Sequence, residues 1–246
     1  MLRAVLFDYG LTLVTFRYPR DELLSVLEQA RPWLGPAAPD PETLMRTVLE
    51  PLEEELDTFG EDEVDYMAFY EAAWRRAGVE VSRELLWRIL DLEQRCWDRS
   101  LRLAPDALET LQALRARGLK TAIASNAPFP PAMMHRQVRS NGLSEGVDAV
   151  VFSSEVGRRK PAPELYQAAL DRLGVAAPEA LYVGDRLLED YEGPRRVGMQ
   201  AILCSALGRA PAPPGVPTVA HLADLLDLPE LGGGGGDLGG GGGEAL

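Results

Sequence analysis

Five polar residues follow short apolar segments of this chain, and their side chains could carry out nucleophilic chemistry beside a metal ion. Asp8 follows the first apolar segment directly, and Ser125 with Asn126 follows the second. Asp185 comes one glycine after the fourth, and Lys160 lies beyond the third, in Gly-Arg-Arg-Lys-Pro-Ala-Pro. A carboxylate can act as a nucleophile or a metal ligand, while a hydroxyl and an ammonium can bind an anionic group. The set predicts a site for an anion, provided that the fold brings its members together.

The apolar segments have the length and composition of buried strands. From the second onward they alternate with helical segments, which is typical of a parallel sheet covered by helices on both faces. The predicted strands are Ala4–Phe7, Thr121–Ala124, Ala149–Phe152, Leu181–Val183 and Ala201–Cys204. Ligands of such open sheets bind at the carboxyl ends of the strands. The sequence therefore predicts a Rossmann-like α/β core in which the five polar residues converge on one crevice.

Two carboxylates in one crevice need a cation between them. Asp8 and Asp185 would repel each other side by side. Mg²⁺ suits such a pair, because this hard ion is often bound by one or two carboxylates together with a substrate phosphate. Taken singly, Asp8 could be a turn residue, and Lys160 could be a solvated loop charge, as we expect of Arg158 and Arg159 beside it. The joint occurrence at successive strand ends is what indicates a site.

More than a hundred residues separate the first two predicted strands, far more than a crossover connection needs. Helical periodicity fills the interval, with predicted helices over 21–31, 42–57, 62–77 and 82–99. We therefore predict a helical cap over residues 17–97, inserted into a core formed by residues 1–16 and 98–230. Three tryptophans of the insert are expected in its apolar core: Trp74, Trp87 and Trp97.

The C-terminal part of the chain changes character. A short helix is predicted near 219–228, packed at the edge of the sheet. Residues 231–246 contain two runs of five glycines and cannot bury enough apolar surface to offset their ordering entropy. We predict that this glycine-rich tail is disordered.

The composition limits the classes of molecule that the protein can bind. The chain has 38 acidic and 25 basic residues and a formal net charge of −13, so it offers no cationic face for a nucleic acid. No apolar run approaches a membrane span, and a charge interrupts the N-terminal segment too early for a secretory signal. Cys96 and Cys204 predict neither a disulfide framework nor a zinc site. We expect a cytoplasmic protein with a small-molecule partner and leave its oligomeric state open.

The polar residues, in this order, resemble the motifs of the haloacid dehalogenase-like hydrolase superfamily, particularly its subgroup with an α-helical cap after the first strand. Val5-Leu-Phe-Asp-Tyr-Gly-Leu-Thr-Leu13 is similar to the first motif, and Ile123-Ala-Ser-Asn126 to the second. Lys160 with Pro-Ala-Pro-Glu-Leu-Tyr resembles the third, and Val183-Gly-Asp185 with Asp190 resembles the fourth. The resemblance covers about residues 1–16 and 98–205. It implies the fold strongly and the substrate only weakly, because the cap usually sets the substrate.

The resemblance implies a Mg²⁺-dependent phosphatase that hydrolyses a small phosphorylated metabolite. Asp8 is the implied nucleophile and would form an aspartyl-phosphate. The implied groups for the transferring phosphoryl group are Ser125, Asn126 and the catalytic Lys160. The implied metal ligands are Asp8, the backbone carbonyl of Gly10, Asp185 and Asp190, with Glu189 left open as an alternative to Asp190.

Gly10 departs from the family pattern. Family phosphatases usually carry an aspartate at this position, which protonates the leaving group and later activates water. Two alternatives therefore stay open: a metal-independent carbon–halogen hydrolase acting on 2-haloacids, and a non-catalytic phosphate- or metal-binding protein that has lost turnover. The pair Asp185 and Asp190 argues against the first, since the family's dehalogenases need no metal.

The residues just after the first motif are the best placed for substrate contact. They lie where the predicted cap begins, at the expected boundary between cap and core. These candidates are Arg17, Tyr18 and Arg20.

Overall fold

A parallel six-stranded sheet forms the centre of the molecule. The structure is a computed structural model that describes residues 1–56, 58–207 and 212–231. Its strands are β1 (Ala4–Phe7), β2 (Val14–Phe16), β3 (Leu101–Leu103), β4 (Lys120–Ser125), β5 (Ala149–Phe152), β6 (Ala180–Gly184), β7 (Gln200–Cys204) and β8 (Thr218–Val219). The sheet has the order β5–β4–β1–β6–β7–β8, and β2 and β3 form a separate antiparallel pair. The predicted α/β fold is confirmed.

The register of the sheet places the motif residues at one edge. Phe7 is level with Ile123 on β4 and with Val183 on β6. The residues that follow these positions therefore leave the sheet side by side. Because β1 lies between β4 and β6, Asp8 comes to the middle of the group.

Helices fill the described chain between residues 20 and 100, the segment predicted to form the cap, and we call them the cap; that they form a separate domain stays a prediction. They are α1 (Arg20–Leu34), α2 (41–56, with one π-helical turn at Met45–Leu49), α3 (Tyr66–Arg76) and α4 (Arg83–Ser100). The N-termini of α2, α3 and α4 are capped by side chains that accept a backbone N–H: Asp40, Asp65 and Ser82.

Two short strands connect the cap to the core. Residue Val14 of β2 pairs with Leu103 of β3, and Phe16 pairs with Leu101. The chain enters the cap through β2 and leaves it through β3, so both connections between cap and core run through this antiparallel pair. Each strand has three residues, too few for a period of two to be visible in the sequence.

The cap helices share an apolar cluster, which Met133 of the core joins, but the tryptophans do not all lie in it. Trp74 is fully buried beside Tyr70. Trp87 is 38% exposed, so its predicted place in the core was wrong. Trp97 is partly buried and borders the cavities between cap and core.

Helices cover both faces of the sheet. The core helices are α5 (Ala107–Ala116), α6 (Pro131–Ser140), α7 (Ser153–Val156), α8 (Pro163–Leu173) and α9 (187–196, beginning with a π-helical segment). One apolar layer contains Leu111, Leu114 and Val138 from α5 and α6. The other contains Leu165 and Leu170 from α8. Burial on both faces explains why the strands are continuous apolar runs.

The C-terminal segment differs from its prediction. The short helix predicted near 219–228 is present as a 3₁₀ helix, Leu222–Asp227, and it follows β8 rather than beginning at residue 219. The Asp224 carboxylate accepts from the N–H groups of Ala220 and His221, which fixes a tight turn there. The tail predicted to be disordered lies, from residue 232 on, outside the described residues. In the part of the chain that is described, no helix is both long and apolar enough to cross a lipid bilayer.

Candidate active site

Asp8 lies at the end of β1, in a largely buried position. Its backbone N–H donates to the carbonyl of Val183 at 2.8 Å, which continues the sheet by one residue. Its carboxylate Oδ1 accepts from Ser125 Oγ at 2.8 Å and from Lys160 Nζ at 2.6 Å. Asp8 is only 7% exposed, so two donors on one oxygen compensate much of the cost of burying its charge. Since both donors reach Oδ1, Oδ2 is left for other chemistry.

Lys160 is the buried cation of the site. Its Nζ donates to Asp8 Oδ1 at 2.6 Å, to Asp190 Oδ1 at 2.7 Å and to Tyr182 Oη at 2.9 Å. Burial opposes the charge of the ammonium, but the Asp190 and Asp8 carboxylates outweigh this and hold the pKa of Lys160 well above its usual value. The lysine is therefore protonated, with three acceptors for its three hydrogens.

Asn126 fixes the backbone of Lys160. Its Oδ1 accepts from the Lys160 N–H at 2.7 Å, and its Nδ2 donates to the Lys160 carbonyl at 3.2 Å. The side-chain amide of Asn126 is thus used in positioning the lysine. Its predicted contact with a phosphoryl group stays a prediction, and in this arrangement that contact would fall to the backbone amide.

Asp190 supports the site from α9. Its Oδ2 accepts from the backbone N–H groups of Asp185 and Arg186 at 3.0 and 2.8 Å. Burial raises the pKa of Asp190, and the Lys160 ammonium opposes that rise. Gly184 makes this close approach possible, because a Cβ there would lie 2.3 Å from Asp190 Cγ. A side chain at position 184 would displace the carboxylate.

The acidic residues can hold a metal ion together. Asp8, Asp185 and Asp190 each offer a carboxylate oxygen, and these oxygens lie within 4.8 Å of one another. An all-oxygen set with few protein ligands suits Mg²⁺, which keeps several waters and binds substrate phosphate. Glu189, the alternative to Asp190, forms an ion pair with Arg186 at 3.3 Å.

Gly10 lies two residues after Asp8, and both residues line one cavity between cap and core, which is described below. Its backbone is outside the left-handed region, and the nearest atom to a Cβ placed there is Phe16 Cε2 at 4.0 Å. The positive φ of this loop falls on Leu11, at 60°. Neither backbone conformation nor space therefore requires glycine at position 10. Its carbonyl as a metal ligand stays a prediction.

A cavity of about 260 Å³ opens above these residues. Core residues line one side, including Asp8, Ser125 and Asn126, and the cap contributes Leu56 and Phe59. We call this space the active cavity. The nucleophile candidate thus lies at the boundary between core and cap.

Arg159 was expected to be a solvated loop charge, and this expectation was wrong. Its side chain is 13% exposed, lines the active cavity and forms an ion pair with Glu63 of the cap at 3.0 Å. The Glu63 N–H donates to the carbonyl of Gly157, and the Arg159 N–H donates to that of Glu61. The cap is therefore bound to the loop that carries Lys160.

The three predicted substrate contacts lie elsewhere. Arg17 forms an ion pair with Glu22, and Arg20 forms ion pairs within the cap. Tyr18 packs against Trp97. None of the three is among the described residues that line the active cavity. Their contact with substrate stays a prediction that this arrangement does not support.

Two residues of the site were missed in the sequence. Tyr182 occupies a position in an apolar strand, and its hydroxyl accepts from Lys160 and donates to the Ala124 carbonyl. A tyrosine inside an otherwise apolar strand was the available signal, since a buried hydroxyl needs a partner. Gly184 was named only as part of the fourth motif, and its role becomes visible from the position of Asp190 on α9.

Comparison with known proteins agrees with the geometry. A family model described as haloacid dehalogenase-like hydrolase matches residues 2–198. The chain is similar to a glyceraldehyde 3-phosphate phosphatase from Methanopyrus kandleri, with 29% identity over 206 residues, 82% of this chain and 83% of that protein. It is also similar to (S)-2-haloacid dehalogenase 1 from a Pseudomonas species, with 32% identity over 143 residues, 57% of this chain and 62% of that protein.

Among solved structures, a HAD phosphatase from Thermococcus onnurineus superposes with a TM-score of 0.64 and 25% identity, covering 94% of this chain and 99% of that one. Seven curated relatives, the dehalogenase included, are matched over only 39% to 62% of their own length.

Proposed function

The chain belongs to the haloacid dehalogenase-like hydrolases, and from this membership and the site geometry we propose that it is a Mg²⁺-dependent phosphatase acting on a small phosphorylated metabolite. The observation that carries the proposal is the convergence of Asp8, Asp185 and Asp190 within 4.8 Å, next to a buried lysine. The arginines that line the cavity, Arg159 and Arg186, form ion pairs with Glu63 and Glu189. The three carboxylates with Lys160 therefore leave an excess of negative charge. A bound metal ion offsets that charge, and a phosphoryl group adds oxygens that the same cations can bind.

In the proposed reaction Asp8 is the nucleophile. A carboxylate oxygen attacks phosphorus, and the bond from phosphorus to the leaving oxygen breaks; the leaving oxygen departs as an anion and takes a proton from water. A second water then attacks phosphorus of the aspartyl-phosphate, which releases phosphate and regenerates the carboxylate. Ser125 Oγ and Lys160 Nζ hold Asp8 Oδ1, so the other oxygen, Oδ2, is the one directed to substrate.

Lys160 and a metal ion held by the acidic residues would both stabilise negative charge on the phosphoryl oxygens. The ammonium can exchange its bond to Asp8 for one to a phosphoryl oxygen that comes next to Asp8, which offsets charge in the transition state. Mg²⁺ held by Asp8, Asp185 and Asp190 would supply further neutralisation of the phosphoryl oxygens. Asp190 also keeps Lys160 in place, because its Oδ1 accepts from Nζ while its Oδ2 is held by two backbone N–H groups.

A panel of phosphorylated metabolites, assayed for phosphate release with Mg²⁺ and with EDTA, tests the proposal. We expect release only with Mg²⁺. Thermal unfolding gives a second readout: Mg²⁺ should raise the melting temperature of the wild type but not of Asp185→Ala. Asp171→Ala, on the exposed face of α8, is the matched control and should respond as the wild type does. Equal protection of the wild type and Asp185→Ala would remove Asp185 from the metal site.

A carbon–halogen hydrolase is the second candidate, and the observation that favours it is Gly10. This position lacks the acid that a phosphatase of the family would use, and one of the chain's relatives is a 2-haloacid dehalogenase. Halide release from a 2-haloacid in the presence of EDTA would select this function. The non-catalytic alternative predicts that Mg²⁺ protects the protein against thermal unfolding, with no turnover of the phosphorylated metabolites or of the 2-haloacid.

A further inference from the structure

A second cavity, of about 200 Å³, adjoins the active cavity where cap and core meet. Phe16, Phe129 and Met134 line both cavities, so these three side chains lie where the two cavities meet. We call the second space the inner cavity. Its other described lining residues are Glu53 from α2, Gln94 and Trp97 from α4, and Gln137 from α6.

Most of the inner cavity is apolar and aromatic. The side chains of Phe16, Trp97, Phe129 and Met134 give it flat hydrophobic walls. A cavity of about 150 Å³ is enough to hold a benzene ring. The inner cavity therefore has both the size and the surface for a small ring or an apolar chain.

Gln137 contributes an acceptor that has no donor. Gln137 and Gln94 both direct Nε2 at Asp98 Oδ1, at 2.8 and 3.4 Å. A carboxylate accepts but does not donate, so it fixes both amides with nitrogen towards Asp98. Gln137 is 2% exposed, and within the described chain its Oε1 has no hydrogen-bond partner. Such a buried acceptor is costly unless a ligand supplies a donor.

The charge of the inner cavity disfavours anions. Glu53 is a carboxylate on its wall, and the described lining residues include no lysine, arginine or histidine. A second anionic group placed here would lose its hydration, meet a like charge and find no cation to pair with. A hydroxyl or an ammonium would instead find acceptors.

Resting on the proposed function, we propose that the inner cavity binds the leaving-group part of the substrate and selects its chemistry. The preferred substrate is a phosphate monoester whose alcohol has an apolar or aromatic body and a hydroxyl or amino donor, without a second phosphate or carboxylate. The phosphoryl group lies at Asp8, the body passes between Phe16, Phe129 and Met134, and the donor reaches Gln137 and Glu53. The cap side chains Glu53 and Trp97 are then determinants of specificity.

Aryl phosphates that differ only beyond a methylene group test this selection, because their phenolate leaving groups are nearly equal. The probes are 4-(hydroxymethyl)phenyl, 4-(aminomethyl)phenyl, 4-(carboxymethyl)phenyl and 4-methylphenyl phosphate. With Mg²⁺ we expect kcat/KM for the hydroxymethyl and aminomethyl compounds to exceed that for the carboxymethyl compound by at least about tenfold, expressed mainly in KM. Equal values, or a preference for the carboxymethyl compound, would overturn the proposal.

Variants assign the selection to particular residues. Glu53→Gln keeps the shape and removes the charge, and it should reduce discrimination against the carboxymethyl compound at least about fivefold. Glu54→Gln changes the neighbouring, solvent-exposed carboxylate and is the matched control, with unchanged discrimination. Gln137→Met should lower the preference for hydroxymethyl over methyl at least about threefold. Unchanged ratios in both Glu53→Gln and Gln137→Met would show that the inner cavity does not select the substrate.

A binding measurement separates this proposal from the phosphatase assignment. Saturation-transfer NMR without metal should detect 4-hydroxybenzyl alcohol bound to the wild type, and not 4-hydroxyphenylacetate. If no aryl phosphate is hydrolysed but this selectivity is seen, the inner cavity is a binding site and the phosphatase proposal fails. If the phosphates are hydrolysed without selectivity, the phosphatase proposal stands and the cavity proposal fails.

Discussion

The side chain of Asn126 bonds both backbone polar groups of Lys160, accepting from its N–H at 2.7 Å and donating to its carbonyl at 3.2 Å. The two residues lie in the loops that follow two neighbouring strands, β4 and β5. The amide therefore fixes the point from which the lysine side chain enters the site. Lys160 Nζ then reaches Asp8 and Asp190 at 2.6 and 2.7 Å.

Removing the Asn126 amide should loosen Lys160. We expect Asn126→Ala to lower kcat/KM by about 10- to 100-fold, because a displacement of about 1 Å near the reacting atoms has effects of this size. The measurement is steady-state kinetics on the best substrate of the panel, with thermal unfolding in parallel to show that the fold persists. Wild-type kinetics in a folded Asn126→Ala protein would mean that Lys160 is positioned without this contact.

The lysine itself should not tolerate arginine. Its Nζ is surrounded by three acceptors in a buried space, and a planar guanidinium cannot reproduce that arrangement. We expect Lys160→Arg to lose at least about tenfold in kcat/KM, or about 1.4 kcal/mol of transition-state stabilisation. Lys120→Arg is a natural control, since Lys120 lies at the exposed start of β4. A silent Lys160→Arg substitution would remove Lys160 from phosphoryl binding.

Gly10→Asp should be tolerated and should alter substrate preference. The backbone at Gly10 is not left-handed, and a Cβ there would meet only Phe16 Cε2 at 4.0 Å. The wild type, lacking an acid at this position, should favour aryl phosphates over alkyl phosphates. The new carboxyl should raise turnover on alkyl phosphates more than on aryl ones. The increase should fall within the roughly 10²–10⁴-fold range that is typical of general acid catalysis.

A second glycine gives the contrast for that experiment. Gly184→Ala places a methyl group 2.3 Å from Asp190 Cγ, so it should lower both activity and protection by Mg²⁺. If Gly10→Asp lowers the melting temperature as much as Gly184→Ala does, position 10 needs glycine. Equal chemical-step rates on alkyl and aryl phosphates in the wild type would mean that another group acts as the acid.

Glu93, inside the cap, should make stability depend on pH. Burial raises the pKa of its carboxyl to about 8 from an ordinary value of 4.5, against the lowering effect of its hydrogen bond with Tyr70. The folded state then binds a proton that the unfolded state releases between these values, so stability falls as the pH rises from about 4.5 to about 8, by about 1.4 kcal/mol per pKa unit at most.

The isosteric variant Glu93→Gln removes this titration. Its gain in unfolding free energy over the wild type should be larger at about pH 8.5 than at about pH 5. Urea unfolding at the two pH values measures the difference, with the exposed Glu54→Gln as a control that should not change the pH dependence. The same gain at both pH values would contradict a raised pKa in the folded protein.

Much of the sheet and of the site could be predicted because buried strands and strand ends leave direct signals. The five predicted strands are all present, and Asp8, Ser125 and Lys160 are in contact. The cap helices were also visible, since α1 to α4 carry helical periodicity and α2, α3 and α4 begin at capping residues.

The features of the fold and the site that could not be predicted depend on contacts between segments that are far apart in the sequence. Strands β2 and β3 are stable because they pair with each other, and neither has a local pattern of its own. The use of the Asn126 amide on Lys160 depends on how two loops meet, as does the burial of Arg159 against Glu63. No local pattern of residue types encodes those contacts.

The covalent state of Asp8 during turnover is the most direct test of the account. Wild-type protein mixed with an aryl phosphate and Mg²⁺ is quenched in acid within one turnover, digested, and analysed by mass spectrometry for a phosphoryl group on the peptide that contains Asp8. We expect this phosphopeptide in the wild type, its loss after borohydride reduction of the acyl phosphate, and its absence in Asp8→Asn and in the presence of EDTA. Full turnover by Asp8→Asn, or rapid hydrolysis by the wild type with no phosphoryl group on that peptide at any quench time, would contradict it.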